Sequence, residues 1–438
     1  MRLLASEIAA AVDGRLVGPD TAVDGAHFDS RELRPGQLFV PLVTLDRGGR
    51  DGHAFVAAAL AAGATAYLTA REPAGGTAIV VADTDVALTE LARWARARFD
   101  GIPVVGITGS VGKTSTKDLV AAALSATRAT TANVRSFNNQ WGLPVTILGA
   151  PAATQALVLE MGMNSFGEIS RLAALARPAI GVVTNVAGAH TGPLGGIDGV
   201  ARAKRELVEA LPAGGTAVLN ADDARVAAMA EHTAAGVVTY GEHGDVRLSA
   251  VELDELARPT FRIDSPWGSA AVRLAVSGRH MAWNAAAAVT VAGLIEGSID
   301  AAVAALADAG VSGKRMEVGR APSGVIVVND AYNANPDSMR AALDALAAID
   351  AERRIAVLGP MAELDDIDAG HARVAADAAA RGIELVAVGT TRYGVVPVAD
   401  HAGAFDPAVL GDLGDGDAVL VKASNSARLW TVAERLLS

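Results

Sequence analysis

Cysteine is absent from this 438-residue chain. Its absence removes disulfides, thiolate zinc sites, iron–sulfur ligation and cysteine nucleophiles in one step, and it fits a reducing cytoplasm. Lysine is nearly absent as well: of the 37 basic residues only 113, 117, 204, 314 and 422 are lysine, and the rest are arginine. Arginine therefore serves wherever a generic cation suffices, and the few lysines mark places where a guanidinium will not do. A basic stripe is also missing, and Lys+Arg 37 against Asp+Glu 49 leaves a net charge of −12. Such a chain repels polyphosphate backbones, so no nucleic-acid partner is expected and any phosphate chemistry belongs in a compact pocket. The longest uncharged stretches, near residues 138–159 and 178–197, contain Asn, Pro and several Gly, and neither reads as a membrane span. The N-terminal MRLLASEIAAAVDG carries Glu7 and Asp13 and reads as an amphipathic helix, not a signal peptide. A cytoplasmic protein is expected.

What is present is an Ala/Val/Leu-rich composition, 51% hydrophobic and 4% aromatic with 46 Gly, and a length that predicts two to four domains. Residues 1–98 alternate short apolar runs (QLFVPL, AYLTA, AIVVAD) with Ala-rich helical patterns, which predicts a small α/β domain. From residue 99 to 310 the pattern becomes strand, Gly-rich turn and helix (VVGITG, ALVLEMG, AIGVVTNV, TAVLN, GVVTY), with an alternating, antiparallel-looking stretch at 246–276 and a helix-like run from Met281 to Glu296. That predicts a central, P-loop ATPase-like, mostly parallel sheet. Residues 311–438 resume the alternation with VIVVND, RIAVLG, ELVAVG and AVLVKA, predicting a C-terminal Rossmann-like α/β domain.

The strongest local signal is VVGITGSVGKTSTKD at 104–118, a buried strand running into a Gly-rich turn and a helix that starts near Lys113. Backbone N–H groups of Gly109, Ser110 and Gly112 can cradle anionic oxygens, Lys113 adds a point charge, and the Thr114 hydroxyl can ligate Mg²⁺. Ile107 stands where the strict P-loop pattern has its first Gly. Glu160 ends the apolar strand ALVLE, where carboxylates coordinate Mg²⁺ in such folds; taken alone, a strand-end glutamate is more often solvated. His190 ends the next strand region, and Lys204 follows in the helical AKREL; singly, such residues are mostly packing or surface. SFNNQWGLP sets Asn138 and Asn139 in a polar loop, and NDAYNANPDSM clusters Asp330, Asn333 and Asn335 at a strand's C-terminal end, the edge where open α/β sheets bind ligands. Asx-turn chemistry accounts for both equally well on local sequence.

The order of these motifs resembles the Mur ligase superfamily of ATP-dependent amide-forming enzymes. The likeness runs through FDSRELRPGQLFVPL, DGHAF, GITGSVGKTSTK, NNQWGLP, LEMGMN, NVAGAH, AKRE, NADD, GRHMAWNAAAA and NDAYNANPDSM, closest to the branch that adds D-alanyl-D-alanine to a UDP-N-acetylmuramoyl-tripeptide. The resemblance implies that Gly109, Ser110, Gly112 and Lys113 bind ATP phosphates and that Thr114 and Glu160 hold one Mg²⁺. It implies a second Mg²⁺ at His190, bridged by a carbamate on Lys204. It places Asn284 and Asp330 at adenine and ribose, Arg315 at the phosphates, Ser30 and Arg31 at the uridine nucleotide, and Asn138, Asn139 and Asn333 toward the peptidyl substrate. A monomer is expected. The family's LGDMAELG appears here as LGPMAELD, with Pro360 and Asp365 substituted, and its KGSR as KASN, with Ala423 and Asn425. These departures fall on the side where the amine should bind. Two other readings are a Mur-type ligase with a different amine, such as a folate polyglutamylating enzyme, and a nucleotide switch; the latter needs Asn-Lys-x-Asp, where the chain has TNVA and LNAD.

Overall fold

The computed structural model describes residues 1–44, 49–188, 194–362 and 366–438. The chain forms two compact units: Met1–Gly106 with Arg128–Met163 and Gly167–Ala179, and Ile107–Thr127 with Asn164–Phe166 and Ile180–Ser438. The division falls inside the strand Val104–Thr108.

In the first unit a five-stranded sheet runs in the order Arg15–Val17, Ala78–Val80, Ala66–Thr69, Leu38–Phe39, Ala26–His27. Only the Arg15–Val17 edge is antiparallel. Leu33, Phe39, Val56 and Tyr67 fill its core. The N-terminus differs from the sequence expectation: Arg2–Leu4 is a strand paired with Ala22–Asp24, and the helix starts only at Ala5. Burial of Leu3 beside Val23 decides this, because tertiary pairing overrides a short segment's helical pattern. Farther along, Thr130–Ala132 pairs in parallel with Ala156–Glu160.

In the second unit Ile180–Val183, Thr216–Asn220 and Gly236–Gly241 are parallel neighbours. The stretch expected to be antiparallel is so, as strands Val246–Leu253, Pro259–Ser265 and Gly268–Arg273. The helix Met281–Glu296 packs along the helix Lys113–Ser125. Its run of alanines is apolar on nearly every side, as a helix enclosed by protein must be. A second sheet in this unit has the order Glu317–Arg320, Ile326–Asn329, Asp417–Lys422, Arg353–Leu358, Glu384–Ala387, parallel except for its first strand. Val327, Val357, Val419 and Phe405 lie in its core. Strand order makes Asn329 and Val421 partners, which puts Asp330 and Lys422 at the same sheet edge.

Candidate active site

The Gly-rich turn is shaped by what surrounds it. Gly112 has φ +82, a left-handed backbone that glycine adopts without steric cost, and a Cβ there would stand 2.8 Å from Asn284 Oδ1. At Gly109 a Cβ would stand 1.8 Å from Thr184 Oγ1. The turn is thus pressed between a strand end and the Met281–Glu296 helix. It is also stapled to residues 184–187. Asn185 Oδ1 accepts from Val111 N–H at 2.9 Å while its amide donates to Val111 carbonyl at 2.9 Å. Thr184 Oγ1 donates to the same carbonyl, and Ser110 exchanges bonds with Ala187 at 2.8 and 3.1 Å. Behind this segment, Asn220 donates to Thr184 carbonyl and Asp223 accepts from Val186 N–H. The Lys113 ammonium curls back onto the Gly109 and Ser110 carbonyls at 2.7 and 3.2 Å, and the next residue, Thr114, is buried.

Lys204 lies on the helix Ile197–Glu209 and is 3% exposed. A surface lysine paired with a neighbouring glutamate is ruled out for Glu209, which pairs with Arg205 instead. Among the described residues nothing bonds to its ammonium. Burial, and secondarily the charge of Lys113, hold the amine's pKa well below the ordinary lysine value, so it is poised to be neutral.

In the first unit Glu160 is 1% exposed, not a solvated strand edge. Asn138 donates to its carboxylate at 2.6 Å, and Asn133 accepts its backbone N–H at 2.6 Å. Asn138 thus orients Glu160. Asn139 uses its side-chain oxygen on the N–H groups of Trp141 and Gly142, an Asx turn that opens the helix Gly142–Gly149. Ser30 is half-buried, and exposed Arg31 forms a two-pronged pair with Asp29.

At the edge of the C-terminal sheet Lys422 is buried and donates to the Asp330 carboxylate, to the Asp330 carbonyl at 3.3 Å and to the Asn333 carbonyl at 2.8 Å. The Asn333 side chain accepts from Ala334 N–H. Arg315 lies over the Tyr332 ring. Asn335 caps the helix Pro336–Ala348 through a reciprocal bond pair with Ser338. His190 and Asp365 lie outside the described residues. Among the described residues no three acidic or histidine side chains cluster as a metal cage.

Residues 107–292 match the Mur ligase middle domain and residues 314–425 the Mur ligase, glutamate ligase domain. The UDP-N-acetylmuramoyl-tripeptide–D-alanyl-D-alanine ligase of Mycobacterium tuberculosis is 43% identical, the match covering 100% of this chain and 98% of that protein. The chain belongs to the Mur ligase family. Among solved structures, MurF of Acinetobacter baumannii aligns over 100% of this chain and 99% of its own with TM-score 0.87 and 29% identity. MurF of Thermotoga maritima, solved in complex with ADP, aligns over 94% and 97% with TM-score 0.80 and 25% identity.

At the positions where the sequence departs from the expected motifs, the Ala423 methyl faces Gly359, where a Cβ would come within 2.7 Å of it. The substituted segments are zipped together: Ser424 N–H donates to Pro360 carbonyl at 3.0 Å, and Ala362 N–H to Ser424 Oγ at 2.8 Å. Nothing in the structure explains Asn425. The sequence reading passed over Thr184, Asn185 and Lys422. Asn185 stands in the sequence only as part of TNVA, and for Lys422 the rarity of lysine is the available signal. None of the five lysines is exposed.

The loop geometry carries a prediction. Gly109→Ala must displace Thr184 or the turn, and either change misaligns the N–H groups. Calorimetric titration with ADP should show at least roughly tenfold weaker binding, and unchanged affinity would refute the cradle.

Proposed function

We propose that this protein joins D-alanyl-D-alanine to a UDP-N-acetylmuramoyl-tripeptide, converting ATP to ADP and phosphate. The observation that carries this reading is the end-to-end 43% identity to a ligase of that name, together with a rigid Gly-rich turn ending in Lys113. A carboxylate is a poor electrophile, so amide formation in water requires activation. The tripeptide carboxylate oxygen attacks the γ-phosphorus of ATP, the bond to ADP breaks, and an acyl phosphate results. The dipeptide's neutral amine then attacks the acyl carbon, loses a proton, and phosphate leaves.

In this scheme the turn's N–H groups and Lys113 hold the phosphates and offset charge on the transferring group. Asn284, Arg315 and Asp330 serve the nucleotide, and Ser30, Arg31, Asn138, Asn139 and Asn333 serve the other substrates, Asn138 by orienting Glu160. Thr114 and Glu160 offer the hard oxygen donors that Mg²⁺ prefers, and Mg²⁺ would supply charge neutralisation at the phosphates. Lys204 supplies a further anionic oxygen donor as a carbamate: its neutral amine adds carbon dioxide and releases a proton. Its burial, with no bonding partner for the ammonium among the described residues, supports this, since a permanently charged ammonium there would be costly. His190 completes the proposed donor set. The three stretches 1–98, 99–310 and 311–438 are proposed as the uridine-nucleotide, ATP and closing domains, acting in the cytoplasm.

Purified protein given ATP and Mg²⁺ should release phosphate only when both the UDP-muramoyl tripeptide and D-Ala-D-Ala are present. Comparable release without either substrate would sink the ligase reading.

A further inference from the structure

The backbone at the start of the second family-matched region is held under strain. Lys314 and Met316 both have left-handed backbones, with φ +65 and +49, a conformation that residues bearing a Cβ avoid. Three bonds impose it: Ser312 N–H donates to Asp118 Oδ2 at 2.7 Å, Met316 N–H to Asp330 Oδ1 at 3.1 Å, and Tyr332 N–H to Lys314 carbonyl at 3.1 Å. Arg315 sits between the two strained residues. Its guanidinium lies 3.9 Å from the Tyr332 ring centroid, and its Nε is buried with no hydrogen-bond partner among the described residues. A buried donor without an acceptor is unfavourable, so this arrangement parks the side chain without satisfying it.

Asp118 links that segment to the Gly-rich turn. It lies five residues beyond Lys113 on the same helix, about 7.5 Å along a rigid axis. Its Oδ1 is 2.7 Å from Lys117 Nζ, and Lys117 is 2% exposed. The buried ammonium fixes one carboxylate oxygen and leaves the other for Ser312. Ser312 is 194 residues away in sequence, so this contact exists only through the fold.

We propose that Asp118 is a positioning residue that couples the Lys113 helix to residues 312–316, so that Arg315 leaves Tyr332 for a phosphate held in the turn. The inference rests on the ATP-dependent reading above. A charge-assisted bond to phosphate outcompetes a ring-face contact, and Asp118 keeps the guanidinium within reach of it.

A double-mutant cycle tests the coupling. Affinity for a non-hydrolysable ATP analogue with Mg²⁺ is measured by calorimetry for the wild type, Asp118→Ala, Arg315→Ala and the double variant. Asp118→Ala should weaken binding roughly tenfold in the parent and less than about twofold in the Arg315→Ala background, because its effect runs through Arg315. In turnover, Asp118→Ala should lower kcat/KM for ATP while the KM for D-Ala-D-Ala stays unchanged. Asp118→Asn, which keeps an oxygen for Ser312 but no charge for Lys117, should fall between, and it replaces the alanine variant in the cycle should that one not fold. Additive effects, or wild-type affinity in Asp118→Ala, would overturn the proposal. Failure of the wild type to turn over the peptide substrates would refute only the substrate assignment, since the binding cycle still decides the coupling.

Discussion

Lys204→Arg is expected to be as inactive as Lys204→Ala, although only the arginine variant keeps a positive charge. Three observations lead to this result. Lys204 is 3% exposed, nothing among the described residues pairs with its ammonium, and burial with the Lys113 charge holds its pKa well below the ordinary value. A lysine used as a cation would have a carboxylate beside it, because an unpaired buried charge is strongly disfavoured. A lysine used as a neutral amine needs this environment. Carbamate formation consumes a neutral amine and yields an anion, and a guanidinium, which stays protonated, cannot follow that route. Both variants should lose roughly two to three orders of magnitude in kcat, the scale of removing one stabilising group from a phosphoryl-transfer site. Acetate or formate should restore part of the activity of Lys204→Ala by occupying the carbamate's place, and should do nothing for Lys204→Arg, whose side chain fills that space. A fully active Arg variant, or an Ala variant indifferent to small carboxylates, would end the carbamate assignment.

Lys113→Ala should lose a comparable factor while keeping its fold. The ammonium donates to the Gly109 and Ser110 carbonyls, but the turn does not depend on it. Asn185, Thr184 and Ser110 make the bonds that staple the turn in place. Removing Lys113 exposes two carbonyls that water can reach, a cost of about 1 kcal/mol or less, so the melting temperature without nucleotide should move by only a few degrees. Phosphoryl transfer, by contrast, should lose the charge proposed for the transferring group, and about three orders of magnitude in rate correspond to ~4 kcal/mol of transition-state stabilisation. The same substitution removes the lesser of the two causes that hold the Lys204 pKa down, burial being the larger, so the Lys204 pKa should rise part of the way back toward its ordinary value. Turnover near the wild-type level in Lys113→Ala, at saturating ATP, would refute the phosphate-loop role.

The sequence by itself determined what is local. A strand of five buried residues, a turn with glycines at 109 and 112, and a helix from Lys113 were legible because each rests on residues adjacent in the chain. Backbone geometry there has one inexpensive solution, and Gly112 supplies it. The helix Met281–Glu296 and the antiparallel stretch at 246–273 were legible for the same reason, the first as an unbroken Ala-rich run and the second as continuous alternation. Lysine scarcity also pointed correctly to positions that the fold does not expose. What only the tertiary structure decided is which of these pieces meet. Asn138 turned out to hold Glu160 and Asn139 to open a helix, two roles that adjacent identical residues cannot reveal. Lys422 reaches Asp330 across 92 residues, because the sheet order inserts the last strand between two earlier ones. Asn185 clasps Val111 across 74 residues. Periodicity reports which face of an element is buried but not against what. These pairings follow from strand order, and strand order is fixed by the packing of whole elements, which no local run of residues encodes.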